Sequence, residues 1–381
     1  MTRKAITCIV INSTWNVINF RCNLLKHLQS LGSEVHIVAP RGSYVDDLVA
    51  LGFIYHEWKV KPQSRKPFSE FTAILSLFWV LRNLRPQYCL TFTIKPNMYT
   101  ALLSPFFKFK QIANVAGLGR VFDDNRLFAR VLQSVYWYVL RNVFHIFFQN
   151  EDDKSKFVKS QNSRLMSVSV LPGSGVEIPL TPAPLRKRDV TVFLMFCRLL
   201  KSKGVHEYVL AADRVKAACV NVEFQLLGFH DVDDPDSVEK SDLDEWQSKS
   251  LINYMGATED VSEYVINSDC VVLPSYYPEG TPRSLLEAGS FGRPIITTET
   301  PGCKDTVMHG VSGYLVQSKN VEKLTEALIN FVELPFADRT ALARNSFSHI
   351  QKNFDENIVL NEYEKQLVRA TVLDGGGSCA R

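Results

Sequence analysis

No two cysteines in this chain stand at C-x-x-C spacing, although there are eight of them, at positions 8, 22, 89, 197, 219, 270, 303 and 379. No histidine–cysteine cluster has zinc spacing either, which argues against a metal-stapled or thioredoxin-like framework. Several cysteines lie in apolar runs such as NSDCVVLP and read as buried, reduced thiols of a cytosolic protein. No apolar stretch reaches the ~18 residues of a membrane-spanning helix. The start, MTRKAITCIVINSTW, has basic residues, but its apolar run is too short for a secretion signal and breaks at Asn12. No short-period repeat is present. These absences leave a soluble or membrane-peripheral globular protein.

What is there suits two domains: 381 residues, 46% of them hydrophobic and 22% charged. The net charge is only +3, yet it is unevenly spread. Residues 1–185 hold 22 Lys and Arg against 11 Asp and Glu, and the remainder holds 21 against 29. Such asymmetry points to an anionic surface beside the first half, with nucleic acid and anionic lipid both candidates.

Along the chain, short apolar runs alternate with helical patterns. KAITCIVIN, EVHIVAP, YCLTFT, QIANVAG and HIFFQN read as strands. FRCNLLKHLQSLG, with Phe20, Leu24, Leu28 and Leu31 at helical spacing, and FTAILSLFWVLRNLRP read as helices. PLTPAPLRKRDV reads as a linker, after which the alternation restarts with TVFLMFCRLL. The expected fold is α/β, two Rossmann-like parallel-sheet domains facing a cleft. The expected bounds are 1–183 for the first domain and 184–345 for the second, with 371–381 a flexible tail.

PSYYPEGTPRSLLEAGSFGRPIITT places Glu279 and Glu287 on either side of a Thr-Pro pair, between two strand-like runs. Thr281 suits an N-cap and Pro282 the first helical position. A helix N-terminus there would favour a phosphate, with the carboxylates accepting hydrogen bonds from hydroxyls. A nucleotide sugar fits, its ribose on Glu287 and its sugar on Glu279. The plainer reading is a capped surface helix with two solvated glutamates. CRLLKSKG adds Arg198, Lys201 and Lys203 just past a strand, where cations can neutralise a diphosphate. Gly228 and Gly256 follow two further strands, where a flat base could approach the backbone. Gly280, Thr281 and Leu286 join them as donor-binding candidates.

With these residues the chain resembles the family-4 glycosyltransferases of the GT-B fold. The family's paired glutamates match Glu279 and Glu287, and its diphosphate contacts match Arg198 and Lys203. LPGSGVEI and TPGCKDTVMHGVSGYLV extend the resemblance. It implies transfer of a sugar from a nucleotide donor with retention, without a metal or other cofactor. It also implies an acceptor-binding domain over 1–183, a nucleotide-sugar-binding domain over 184–345, and a crossover helix over 346–370 that packs on the first domain. The bond to phosphate would break early, and Glu279 would position the sugar and stabilise charge. The Asp-rich DVDDPDS reads as a solvated loop rather than a metal site.

The acceptor half departs from the family pattern. INSTWNVINFR lacks the glycine-rich loop and offers Asn12, Ser13, Thr14, Trp15, Asn16 and Arg21 instead. TFTIKPNMY has Lys95 and Asn97 where many members place a histidine, so Lys95 is the substitute expected to hold a phosphate or orient the sugar. Gly117 and Gly119 form a loop toward the acceptor; the third glycine of a dinucleotide motif is missing. The motifs look most like those of bacterial O-antigen and capsule enzymes that extend a sugar on undecaprenyl diphosphate, some of them α-1,3-N-acetylgalactosaminyltransferases. The implied donor is a UDP-sugar, with UDP-GalNAc as the best match. The basic and aromatic stretches around Lys59, Lys61, Arg65, Lys66, Arg82, Arg85 and SPFFKFK suit the anionic cytoplasmic face of the inner membrane better than nucleic acid. A UDP-sugar epimerase and a non-catalytic nucleotide-sugar-binding protein are the alternatives.

Overall fold

The computed structural model describes residues 4–61, 64, 66–118, 127–159, 166–219, 221–231, 234–277 and 279–375. The chain divides into two compact units, Met1–Ser174 with Asn357–Arg381, and Gly175–Glu356. In the first, strands β1 (Ile6–Val10), β2 (Glu34–Ala39), β3 (Ile54–Glu57), β4 (Tyr88–Phe92), β5 (Lys110–Val115), β6 (His145–Phe148) and β7 (Val168–Val170) pair in the order β3-β2-β1-β4-β5-β6-β7. In the second, β8 (Thr191–Phe196), β9 (Val222–Leu227), β10 (Asn253–Tyr254), β11 (Cys270–Leu273), β12 (Ile295–Thr298) and β13 (Gly313–Val316) pair in the order β10-β9-β8-β11-β12-β13. Every strand pairing is parallel. Central strands β1, β4 and β8 are buried along their whole length, which is why they read as continuous apolar runs.

The first unit carries helices α1 (Thr14–Phe20), α2 (Cys22–Ser30), α3 (Val45–Ala50), α4 (Pro67–Leu84), α5 (Ile94–Leu103), α6 (Leu127–Leu140) and α7 (Glu151–Lys159). The second carries α8 (Val205–Ala218), α9 (Lys240–Ser248), α10 (Ser262–Ile266), α11 (Arg283–Ser290), α12 (Val321–Glu333) and α13 (Phe336–Phe354). Then α14 (Glu356–Gly375) runs into the first unit. Among the described residues, no helix is long and apolar enough to cross a membrane.

Alternate side chains of β1 feed opposite faces of the first sheet. Ile9 joins Leu24, Leu25, Leu28 and Phe147 on one face, whereas Cys8 and Val10 join Ala73, Leu77 and Leu81 of α4 on the other. The first face is completed by Val359, Tyr363, Leu367 and Ala370, one stripe of α14. Tyr363 is fully buried; Asn114 Nδ2 donates to its hydroxyl at 3.1 Å, and its ring centre lies 5.0 Å from that of Phe147. Around it, His27 and Glu364 meet at 3.1 Å and the Tyr88 and Thr371 hydroxyls at 2.6 Å.

Several expectations are corrected. The helix expected through Phe20–Leu31 is broken at Arg21, and Leu31 is exposed. The unit boundary falls at Ser174, before the Pro-rich segment, because that segment packs on the second unit. Arg293 Nη2 donates to Ala183 O at 3.0 Å, and Arg186 and Arg188 donate to Asn267 at 3.0 and 2.8 Å. Strand β13 was not anticipated: GYLV is short and follows a glycine-containing turn. In both sheets the strand order reverses between a first and a fourth strand, β1/β4 and β8/β11, where open α/β sheets bind ligands.

Tyr363→Ala is expected to destabilise the first unit by about 3–5 kcal/mol in urea denaturation. Tyr363→Phe, which removes only the hydroxyl, is expected to cost about 1 kcal/mol.

Candidate active site

Past β8 the chain passes Arg198 and makes a short 3₁₀ turn, Lys201–Lys203, that ends on Gly204 in the left-handed region (φ +81°). A Cβ on Gly204 would stand 2.2 Å from Pro274 O, so only glycine lets this turn lie against the end of β11. Ser202 O accepts from Tyr276 N at 3.0 Å, Tyr277 N at 3.1 Å and Ser275 Oγ at 3.3 Å. The Ser202 hydroxyl donates to Asp236, whose carboxylate also faces Ser202 N at 3.3 Å.

This clamp brings Lys203 Nζ onto Glu279 Oε1, which also accepts from Ser275 Oγ at 3.0 Å. The two charged side chains are only 14% and 10% exposed. Burial opposes the charge on Lys203, but the adjacent, hydrogen-bonded Glu279 carboxylate holds its pKa above the ordinary value. From the other side Gly302 (φ +80°) presses on the same loop, where a Cβ would lie 1.9 Å from Gly280 O. Burial also pushes the neighbouring Cys303 thiol up to about 12.

The remaining donor candidates separate into three situations. Arg198 is more than half exposed, with Nη1 4.0 Å from Asp234 Oδ2. The Asp-rich loop is therefore partly structural, through Asp234 and Asp236; Val232 and Asp233 lie outside the described residues. Glu287 sits on α11 with its Oε1 3.0 Å from Arg283 Nε, and Arg283 Nη1 reaches Gly175 O at 3.2 Å. Burial raises the Glu287 pKa, with Arg283 opposing. The helix is capped by Pro282 (ψ 118°), not Thr281, because Arg283 is the first residue with helical geometry. Leu286 is corrected too: it points into a core with Val176, Ile350 and Phe354. Gly228 is required by its own sheet, since a Cβ there would lie 1.8 Å from Cys197 O, whereas nothing lies within 4 Å of the corresponding position on Gly256 (φ +77°).

In the first unit, Asn12, Ser13, Thr14 and Trp15 follow β1 and line a cavity of about 1230 Å³. Ser13 caps α1, accepting from Asn16 N at 3.4 Å, so Asn16 serves the cap through its backbone. Thr14 Oγ1 packs where a Cβ on Gly42 would stand, 2.4 Å away. Arg41, Tyr44, Lys61 and Lys66 complete the charged and aromatic lining. Arg41 and Tyr44 were missed; their signal was the position of PRGSY just past β2. Lys61 and Lys66 are legible in the sequence only as surface charge.

Three acceptor-half expectations are corrected. Arg21 is buried, its guanidinium 4.5 Å above the Phe92 ring, because it sits at the α1–α2 break facing the core. Lys95 directs its ammonium to Lys61 O at 2.9 Å, Ser64 O at 2.6 Å and Glu70 Oε1 at 2.8 Å. Those three acceptors match the three donors of an ammonium, which makes Lys95 a clamp on the segment that lines the cavity. Asn97 is fully buried and donates to Asn114 O at 2.9 Å while accepting from Thr91 Oγ1 at 2.7 Å. Both follow Thr93, whose backbone (φ 72°, ψ 167°) is rare for a β-branched residue and turns the chain from β4 into α5. Gly117 (φ +114°) lies past β5, and Gly119 lies outside the described residues.

Comparison with known proteins places family models on both units. "Glycosyl transferases group 1" matches residues 180–349 and "Glycosyl transferase 4-like" matches residues 8–150. A curated relative from Campylobacter jejuni, N,N'-diacetylbacillosaminyl-diphospho-undecaprenol alpha-1,3-N-acetylgalactosaminyltransferase, is 26% identical over 92% of this chain and 95% of its own. Sucrose-phosphate synthase from Thermosynechococcus elongatus superposes with TM-score 0.78 at 17% identity, over 97% of this chain and 100% of its own. Anabaena HepE in complex with UDP superposes with TM-score 0.77 at 15% identity, over 96% and 100%. This likeness shows the GT-B fold, two parallel-sheet α/β domains.

Lys203→Met leaves the Glu279 carboxylate buried without its cation, and is expected to cost about 3–5 kcal/mol in denaturant unfolding. Lys203→Met with Glu279→Leu should recover most of that loss. The pair raises the Lys203 pKa above 10.5, so its stabilisation is complete below that pH and is lost only as pH rises through the raised value. Wild-type stability should therefore show no loss of the pair's contribution from about pH 6 to 9.

Proposed function

We propose that this chain, which belongs to the glycosyltransferases of the group 1 and 4-like families, is a retaining enzyme of surface-polysaccharide assembly. It moves a hexose or N-acetylhexosamine, with GalNAc in α-1,3 linkage the favoured case, from a UDP-sugar to a saccharide on undecaprenyl diphosphate. The observation that carries this reading is the buried Lys203–Glu279 pair at the β8/β11 switch point, beside exposed Arg198. The name of the C. jejuni relative supports the choice of transferred sugar and acceptor.

In this mechanism Arg198 and Lys203 take up charge on the leaving diphosphate. The bond from the anomeric carbon to the phosphate oxygen breaks, and the acceptor hydroxyl forms its new bond on the same face. The hydroxyl proton passes to the departing phosphate oxygen. Glu279 orients the sugar and stabilises its positive charge; with Lys203 on one of its oxygens it is a poor covalent nucleophile. Metal independence is part of the proposal, with Arg198 and Lys203 supplying the positive charge for the diphosphate.

The acceptor brings the enzyme to the cytoplasmic face of the inner membrane. Helix α4 buries Ala73, Leu77 and Leu81 and exposes Phe68, Phe71, Leu75 and Trp79 on another face. Phe68 is 80% exposed and Phe106, against Phe78, is 71% exposed. Exposed Lys59, Lys66, Arg82, Arg85 and Lys108 flank these stretches in the sequence, a combination suited to an anionic bilayer. SPFFKFK contributes less than expected: Phe109 is buried in the core, Phe107 packs against it, and Lys110 lies 5.9 Å from the Phe144 ring.

The test is transfer of radiolabelled sugar from a panel of UDP-sugars to extracted bacterial lipid, with EDTA present. Label in the lipid phase is expected; label only in an epimerised UDP-sugar would overturn the reading. Glu279→Gln should lower transfer by about 10²–10³-fold while the protein stays folded. Phe71→Ser with Trp79→Ser and Phe106→Ser should weaken sedimentation with phosphatidylglycerol vesicles, and unchanged sedimentation would remove the docking face.

A further inference from the structure

We propose that the cavity at the start of α4 is the subsite for the diphosphate of the lipid-linked acceptor. Arg41, Lys61 and Lys66 are its cations and Trp15 is the platform for the adjoining sugar. This rests on the proposed transfer to a diphosphate-linked saccharide and deepens it.

The lining residues lie in the first unit, and among the described residues they include three cations and no carboxylate. None of Arg41, Lys61 or Lys66 forms an ion pair among the described residues. Like charges around one concavity repel one another, and an anion held there would offset that repulsion. Nearby Lys95 shows the contrast, because its ammonium is spent on Lys61 O, Ser64 O and Glu70. It holds the backbone that presents Lys61 and so pre-organises the wall.

Two further features match a diphosphate on a lipid. Hydroxyls of Ser13, Ser43, Ser64 and Ser69 share the lining and supply donors for phosphate and sugar oxygens. Lys66 caps α4 with no side-chain hydrogen bond to its first turn, where Ser69 also faces the cavity, so the helix dipole adds to the positive field. The same helix continues, over 18 residues, into the exposed stripe of Phe68, Phe71, Leu75 and Trp79. A prenyl chain leaving a diphosphate held at Lys66 meets that apolar stripe at once.

The reaction contains two diphosphates, one on the donor nucleotide and one on the lipid carrier. The second unit offers cations for one at Arg198 and Lys203. The first unit offers cations for the other here.

Arg41→Gln, Lys61→Gln and Lys66→Gln, singly and together in the full chain, test the assignment with farnesyl diphosphate as probe, followed by calorimetry. Wild type should bind it, each single variant should bind about tenfold more weakly, and the triple variant should lose binding. Lys61→Arg should retain it, farnesol should not compete, and UDP affinity should be unchanged throughout. Equal probe binding by wild type and triple variant, or none by wild type, would overturn the proposal. A parallel loss of UDP affinity would also overturn it, assigning the cavity to the donor. So would loss of phosphatidylglycerol-vesicle binding with the probe unaffected, which would make these cations headgroup contacts. Probe binding that depends on the three cations, with no sugar transfer to any lipid acceptor, keeps the subsite and removes the transferase reading. Transfer with a cation-independent probe does the reverse.

Discussion

Residue 204 has no side chain, and the donor-side geometry depends on that. The turn Lys201–Lys203 lies against Pro274 at a distance no Cβ would tolerate, which hands Ser202 O to the amides of Tyr276 and Tyr277. Once those bonds form, Lys203 has one place to go, and Glu279 is there to meet it. Gly302 repeats the device from the opposite side of the loop. Two backbone contacts therefore determine where a buried ion pair stands, and the ion pair determines where a diphosphate could gain charge stabilisation. A Lys–Glu pair so poorly exposed is weak evidence of stability, because its desolvation offsets its attraction. Its value is positional.

The first unit solves the same problem with polar side chains. Thr91, Asn97, Gln111 and Asn114 form a buried hydrogen-bonded group between β4, β5 and α5, and Asn114 passes the chain of contacts to Tyr363 of α14. A buried network of this kind favours one packing arrangement, since a shift strands a buried donor, although Gln111 Oε1 has no hydrogen-bond partner among the described residues. Beside this framework Lys95 ties the segment that lines the cavity to α4 and α5.

Both sheets were legible because buried parallel strands announce themselves as apolar runs, as in KAITCIVIN and TVFLMF. The charged residues past β8 and β11 were legible for a related reason: in such sheets, ligand-binding residues follow the strands. What stayed hidden depends on contact rather than pattern. Nothing in INSTWNVINFR distinguishes the exposed Trp15 from the buried Arg21 that follows it in the same run; only the break between α1 and α2 does so. Lys95 and Lys61 are both lysines past strands, yet one is consumed by carbonyls and the other lines a cavity. Leu286 and Glu287 are neighbours on α11 that face a core and an arginine respectively. The glycines divide in the same way, since Gly228 answers to Cys197 and Gly256 to open space.

Helix α14 also sets an order of events. The second unit is one unbroken stretch, Gly175–Glu356, whereas the first needs both Met1–Ser174 and the segment after Glu356. During synthesis the residues that carry Val359, Tyr363 and Leu367 emerge only after the whole second unit has been made. The first unit thus waits with part of one sheet face uncovered while the whole second unit is made, in contrast to the usual amino-terminal-first sequence. Apolar surface left open for that interval is a natural substrate for chaperones, and a chain cut before α14 lacks Val359, Tyr363, Leu367 and Ala370 from the first unit's core.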